Sequence, residues 1–309
     1  MDVPLSSVLS ARFLILRKHC LNDSFKQFLH SLLIKKIEKG HRNKRKRPTI
    51  VKPFKVIQYF CEETQQNESF VSFPRYIYFK YFNLNDPIID TRTIGLNFHV
   101  KSIFRGKLRK NGIQEPATTE VLSKLKDDLH GNMALLELYC GAGKTFCALF
   151  IAYVLQLKTL VLIHKSDFIT QWSSSAKNLI PYIKIHVLTS KSTIDDILEN
   201  DIIICTYQLL MRGTFDSDFF TSVGFCILDE CHHIAAEKFS LCMDYINAKH
   251  ILGLSATPIR SDGLTEMIFY LTGPIVYRAE RPYQRVNIDV HRFEEGNERI
   301  VYDKSNEVS

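Results

Sequence analysis

Met133-Ala-Leu-Leu-Glu-Leu-Tyr-Cys-Gly-Ala-Gly-Lys-Thr-Phe-Cys147 is the stretch on which the reading of this chain turns. Met133 to Leu138 is short, apolar and bounded by polar residues, the pattern of a buried strand, and Phe146 to Leu155 reads as a buried helix. Between them the Gly141-Ala142-Gly143 turn allows backbone N–H groups to close on an anion at the positive end of that helix. Lys144 adds a point charge and Thr145 a hydroxyl for a metal, which makes the segment a phosphate-binding loop. The full pattern G-x-x-x-x-G-K-[ST] would have glycine where Leu138 stands, so on this stretch alone an ordinary βα turn remains the alternative.

Downstream, apolar strands alternate with helical segments. Strands are expected at 159–163, 185–188, 201–205, 225–228 and 250–254, and helices at 168–179, near 193–198 and at 236–246. Near-continuous apolar strands in such alternation predict an α/β fold, a parallel sheet with helices on both faces. Ligands in such folds bind beyond the C-terminal ends of the strands, where the phosphate loop falls.

Two other strand ends carry chemistry. Phe225-Cys-Ile-Leu-Asp-Glu230 is an apolar strand closing on two acids. Asp229 suits a magnesium ion beside a bound triphosphate, and Glu230 suits the orientation and deprotonation of an attacking water. Gly253-Leu-Ser-Ala-Thr-Pro258 ends another strand in hydroxyls that can relay the state of the nucleotide.

Cys140-Gly-Ala-Gly-Lys-Thr145, Leu228-Asp-Glu-Cys-His-His-Ile-Ala235 and Leu254-Ser-Ala-Thr-Pro258 together resemble the first three motifs of superfamily 2 helicases. More narrowly, they resemble the DEAH-like helicases of large DNA viruses and those of the xeroderma pigmentosum group B type. The resemblance runs from about Phe70 to Tyr277. It implies a RecA-like P-loop NTPase lobe that uses ATP and Mg2+, with Lys144, Asp229 and Glu230 catalytic, and Thr145 and Asp229 on the metal. Gly141, Ala142, Gly143, Lys144 and Thr145 would hold the phosphates, and Gln114 would read adenine. His232, Ser255 and Thr257 would couple nucleotide to nucleic acid. Thr159-Leu-Val-Leu-Ile-His-Lys165, Gln171-Trp172 and Asp201-Ile-Ile-Ile-Cys-Thr-Tyr-Gln208 resemble backbone-gripping motifs, making Lys165, Gln171, Thr206 and Gln208 the expected nucleic-acid contacts.

The remainder is less specific. Residues 5–39 have helical spacing, with Leu14, Leu21, Phe25, Phe28, Leu29, Leu32, Leu33 and Ile37 recurring at threes and fours, which suggests two amphipathic helices divided near Asn22-Asp23. From Phe54 to Val100 short aromatic and β-branched runs suggest a small α+β module. Its Tyr and Phe between Phe70 and Phe82 read as core more readily than as a base-stacking surface. The expected organisation is a helical segment at 1–47, the α+β module at 48–104, the RecA-like lobe at 105–280 and an extension at 281–309, where a second lobe would begin.

A +7 net charge resides in effect in the run Lys35 to Arg47, which reads equally as a nuclear address, a phosphate-contacting patch or a solvated linker. Eight cysteines without a C-x-x-C pair suit a reducing, intracellular setting in host cytoplasm or nucleus rather than a zinc site. No apolar stretch approaches the roughly 20 residues that span a bilayer, so no membrane partner is expected. The expected partners are nucleic acid, as duplex DNA or a DNA-RNA hybrid, and a second-lobe protein or missing C-terminal half. The expected activity is that of an ATP-dependent helicase or translocase in viral transcription or genome processing, incomplete as an isolated chain. The alternative class is a non-unwinding interaction module that binds ATP and nucleic acid.

Overall fold

The computed structural model describes residues 7–36, 49–61, 65–86, 88–108, 112–212, 215–216, 218–235 and 240–281. The N-terminal elements are β1 (Val8–Leu9), β2 (Arg12–Leu16), α1 (Asp23–Ser31), β3 (Ile34–Lys36), β4 (Thr49–Val51), β5 (Lys55–Cys61), β6 (Gln66–Pro74), α2 (Tyr76–Tyr81) and β7 (Ile89–Asp90). Five of these strands form one sheet in the order β5-β6-β2-β1-β7, while β3 and β4 form a separate ribbon.

The helical spacing expected over residues 5–39 holds only in its middle, since Ile34–Lys36 is strand β3. Asp23–Ser31 is helical, and the Asn22 side chain caps it by accepting the Phe25 N–H at 2.7 Å. Arg12–Leu16 is instead a strand, antiparallel to β6 with Phe13 opposite Phe73. Its Phe-Leu-Ile centre suits a pleated, half-buried surface, and tertiary pairing overrides the helical spacing. The sheet therefore draws strands from both sides of the expected boundary at 47/48. Of the basic run, Lys35 and Lys36 lie in β3 and residues 37–47 lie outside the described residues.

The aromatic run is core. Phe73, Tyr78 and Phe82 are buried with Phe13, Phe25 and Phe28, and Phe13 meets Tyr78 and Phe82 with ring centroids 4.9 and 5.1 Å apart. Each such ring contributes about 1.5–3 kcal/mol by leaving water.

Then follow α3 (Gln114–Leu125), β8 (Met133–Leu138), α4 (Lys144–Leu155), β9 (Thr159–Ile163), α5 (Phe168–Leu179), β10 (Ile185–Val187), α6 (Ile194–Glu199), β11 (Ile202–Thr206) and α7 (Tyr207–Met211). The series ends with β12 (Phe225–Leu228), β13 (His250–Ser255), α8 (Thr265–Thr272) and β14 (Ile275–Ala279). The seven strands run parallel in the order β10-β11-β9-β12-β13-β8-β14. This is the expected RecA-like α/β sheet. Where a helix was expected at 236–246, Leu241–Tyr245 makes a tighter 3-10 turn, and residues 236–239 lie outside the described set.

Alternation along β8 explains why it is apolar at every position but Glu137, which pairs with Arg278. Met133 and Leu135 enter the hydrophobic cluster shared with the N-terminal rings, while Ala134, Leu136 and Leu138 enter the cluster beneath α3, α4 and α5. The N-terminal module thus covers one face of the large sheet. Arg75 and Arg92 help tie it down. Buried Arg75 donates to the carbonyls of Ala248 at 2.7 Å and Ile246 at 3.5 Å. Arg92 donates to the Gly131 carbonyl and to Asn132 Oδ1, both at 3.2 Å. Burial, with the Arg92 charge nearby, pushes the Arg75 guanidinium down to about 9.

Candidate nucleotide site and its coupling network

Strand order brings the three motif-bearing ends together, because β13 lies between β8 and β12. Beyond them opens a cleft of about 710 Å³, lined by the loop residues Cys140 to Phe146 (except Ala142), by Asp229 and Glu230, and by one face of α5. Gly143 begins α4 in the left-handed region at φ 95°, and no side chain caps the helix. The left-handed backbone favours glycine there, while a Cβ would meet only the movable end of the Gln114 side chain, Nε2 at 2.6 Å. The first-turn N–H groups of such a helix have no intrahelical acceptors, which fits an anion.

Lys144 Nζ donates to the Leu138 carbonyl at 3.3 Å and lies 3.7 Å from Glu230 Oε1. Asp229 is held on both oxygens. Its Oδ2 accepts Trp172 Nε1–H at 2.9 Å and its Oδ1 accepts the Glu230 N–H at 3.0 Å. Burial raises the Asp229 carboxyl above its ordinary range, against the Trp172 hydrogen bond, which lowers it. Glu230 moves the other way, lowered first by its bond to His232. The two acids are thus set apart in character, with Glu230 the more readily ionised. Glu230 also occupies the left-handed region at φ 46°, a strained conformation for a side-chain-bearing residue.

The expected coupling residues meet. His232 Nδ1 lies 3.3 Å from Glu230 Oε2 and 3.1 Å from Ser255 Oγ. Ser255 Oγ accepts the Thr257 N–H at 3.1 Å, so Thr257 joins through its backbone while its side chain is exposed. Gln114 is buried against the loop and donates from Nε2 to the Ala142 carbonyl at 3.3 Å. Thr145 lines the cleft, whereas Ala142 is buried behind it.

The expected nucleic-acid contacts divide. Lys165 is exposed just beyond β9. Gln208 donates to the His164 carbonyl at 2.8 Å. Thr206 ends β11, and its hydroxyl accepts the Leu209 N–H as the cap of α7. Gln171 is placed differently from the expectation: it lines the cleft with Phe168, Ser175 and Asn178, because α5 turns that side toward the loop. Its neighbour Trp172, about 100° round the helix, is buried and reaches Asp229 from behind the cleft lining.

Trp172 as the support of Asp229 and Arg260 as a brace were not foreseen in these roles. Arg260 Nη1 donates to the His232 carbonyl at 2.5 Å, and its Nε and Nη2 hold Asp262. The Arg-x-Asp spacing after Pro258 is the only local signal for this brace.

Residues 107–260 match the family "Type III restriction enzyme, res subunit". Among curated proteins, "Putative ATP-dependent RNA helicase L396" of Acanthamoeba polyphaga mimivirus is 26% identical over 261 residues, covering 81% of this chain and 48% of its own. "Putative helicase 161L" of Invertebrate iridescent virus 6 is 27% identical, over 67% of this chain and 44% of its own. "DNA 3'-5' translocase XPB2" of Sulfurisphaera tokodaii is 31% identical, over 47% of this chain and 31% of its own. The chain therefore spans less than half the length of these relatives. Among solved structures, the UvsW helicase of bacteriophage T4 superposes with a TM-score of 0.55 at 14% identity, covering 90% of this chain and 99% of that one, a likeness of fold alone. Among the described residues no helix is long and apolar enough to cross a membrane. Motif order, sheet topology and these relatives together make the chain a homologue of the superfamily 2 helicases of large DNA viruses and of the XPB type.

Proposed function

We propose that this chain is the ATP-binding lobe of a nucleic-acid-dependent ATPase of superfamily 2, acting on duplex DNA or a DNA-RNA hybrid in viral transcription or genome processing. One observation carries the reading: an uncapped helix start bearing Lys144 shares a cleft with Asp229 and Glu230. Lys144 and the N–H groups of the loop bind the phosphates. Thr145 and Asp229 hold Mg2+, which supplies charge neutralisation at the phosphoryl oxygens. Glu230 orients the attacking water and takes its proton, Gln114 reads the base, and His232, Ser255 and Thr257 pass the nucleotide state outward. Exposed Lys165 contacts the nucleic-acid backbone, with Gln208 setting the strand end beside it.

Lys144 is the one cation among the described residues lining the cleft. Arginines facing a transferring phosphoryl group are worth about a thousandfold or more in related systems. A second RecA-like lobe, in further sequence of a longer protein or in another chain, supplies them in this reading. Turnover by the 309-residue chain is then slow and unwinding absent.

Calorimetry of Lys144→Ala tests the site: binding of MgATP as tight as the parent's overturns it. Mixing with a candidate second-lobe protein tests the activity, and nucleic-acid-stimulated hydrolysis should appear. A mixture that binds both ligands and hydrolyses nothing makes the chain an interaction module instead. Binding to nucleic acid should fall steeply with salt through counterion release, and salt-independent binding would point to a protein partner.

A further inference from the structure

His164 stands between the last residue of β9 and Lys165, outside every role assigned above. Its ring lies face to face on His233, with centroids 3.8 Å apart and planes 10° from parallel. His233 in turn meets His232 at 4.2 Å and 39°. The three imidazoles thus form a continuous column from the end of β9 to the residue that touches Glu230. Neighbouring strands set this up: β9 and β12 pair with Leu162 opposite Leu228, and the Asp229 N–H donates to the Leu162 carbonyl at 2.8 Å.

We propose that His164 and His233 are positioning residues that transmit nucleic-acid engagement at Lys165 to Glu230 through His232, a proposal that rests on the ATPase reading above. The column has the stiffness for this. Rings in van der Waals contact face to face resist compression, so a shift of His164 moves His233 rather than being absorbed. Its outer end is clamped, since the His164 carbonyl accepts from Gln208 at 2.8 Å, and Gln208 follows Thr206 at the end of the adjacent strand β11. Its inner end is braced by Arg260 on the His232 carbonyl and by Ser255 Oγ 3.1 Å from His232 Nδ1. Lys165 and Gln208 thus lie at one end and Glu230 at the other. Face-to-face stacking also favours uncharged rings, and burial lowers both, His233 to about 4.

The test measures a fluorescent, non-hydrolysed ATP analogue with Mg2+ on the full chain, with and without saturating duplex DNA at low salt. Coupling is read as the ratio of the two affinities, which by linkage equals the effect of nucleotide on DNA affinity. The parent should show a ratio of about fivefold or more, the lower end of typical coupling. His164→Ala and His233→Ala should bring the ratio to about one while each ligand alone binds within about twofold of the parent. His233→Phe keeps a flat ring in the column and should restore at least half of the coupling, a rescue that a merely structural role does not predict. Where an alanine variant does not fold, His164→Phe and His164→Asn give the same contrast between ring and no ring. Unchanged coupling in folded ring-less variants overturns the proposal, as does a parent that binds both ligands without coupling. A parent that binds nucleotide and no nucleic acid overturns the nucleic-acid part of the proposed function, and the column with it.

Discussion

In the large sheet β8, β9, β12 and β13 each lie between two parallel neighbours, and the strand bodies are held by backbone ladders and apolar residues on both faces. In the small sheet the strands are mostly antiparallel, and side chains add to the backbone ladders: Phe13, Phe28 and Phe73 join layers, and Arg75 and Arg92 reach across to the lobe. The difference has a consequence for function. Where backbone and apolar bodies are self-sufficient, strand ends are left to carry polar residues such as Asp229, Glu230 and Ser255. Where side chains do the joining, polar residues such as Arg75 serve as fasteners. Substitutions should therefore separate activity from stability in one region and not in the other.

The largest effect is expected at Glu230. Glu230→Gln should lower single-turnover MgATP hydrolysis by about a hundredfold or more, the usual worth of a general base, with nucleotide affinity and melting temperature near the parent's. A protein that melts much earlier would mean that the strained left-handed residue supports the fold, and the contrast between regions would fail. Lys144→Ala comes next. Losing a charge-assisted contact of about 1.5–3 kcal/mol should weaken MgATP binding by roughly tenfold or more without lowering the urea midpoint.

Arg75→Ala inverts that pattern. It leaves the Ala248 and Ile246 carbonyls without their buried donor and should cost about 1–3 kcal/mol in urea unfolding, with nucleotide affinity of the folded protein little changed. Equal stability would show that Arg75 is not one of the module's fasteners.

Trp172→Phe tests the seam between scaffold and site by pH. Burial raises the Asp229 carboxyl, so its favourable contribution to stability is present below the unfolded value and is lost as pH rises through the folded one. Removing the Trp172 donor takes support from the ionised form and raises that carboxyl further. The acid limb of Mg-nucleotide binding should therefore move to higher pH, and a titration from about pH 4 to 8 would show it. A limb that stays in place would mean that another group controls it. The smallest effect is expected at Asn22→Ala, where loss of the α1 cap should cost about 1 kcal/mol in thermal unfolding and nothing in nucleotide binding.

Met133 to Leu138, the glycine turn, Lys144, and the acids after Leu228 were legible from the sequence because their signals are local. A strand buried on both faces is apolar along nearly its whole length, Glu137 near the end of β8 being the exception, and a turn whose backbone goes left-handed favours glycine. For the same reason strands 159–163 and 225–228 and helix 168–179 coincide with the expected ranges. Arg12–Leu16 was misread because five apolar-rich residues beside a true helix satisfy either period, and the choice was made by Phe73 and its neighbours on a strand far along the chain. Gln171 and Trp172 show the same limit within a correctly placed helix. Adjacent residues on α5 take different places, one exposed in the cleft and one buried under Asp229, and only the packing of that helix assigns which. The sequence by itself determined the parallel sheet, the glycine loop before α4 and the acids at a strand end. Tertiary structure decided what those residues lean on: Trp172 under Asp229, Arg260 on His232, and the ring of His164 on that of His233. Each of these contacts joins segments that meet only when β9, β12 and β13 are laid side by side, and no spacing along the chain encodes that adjacency.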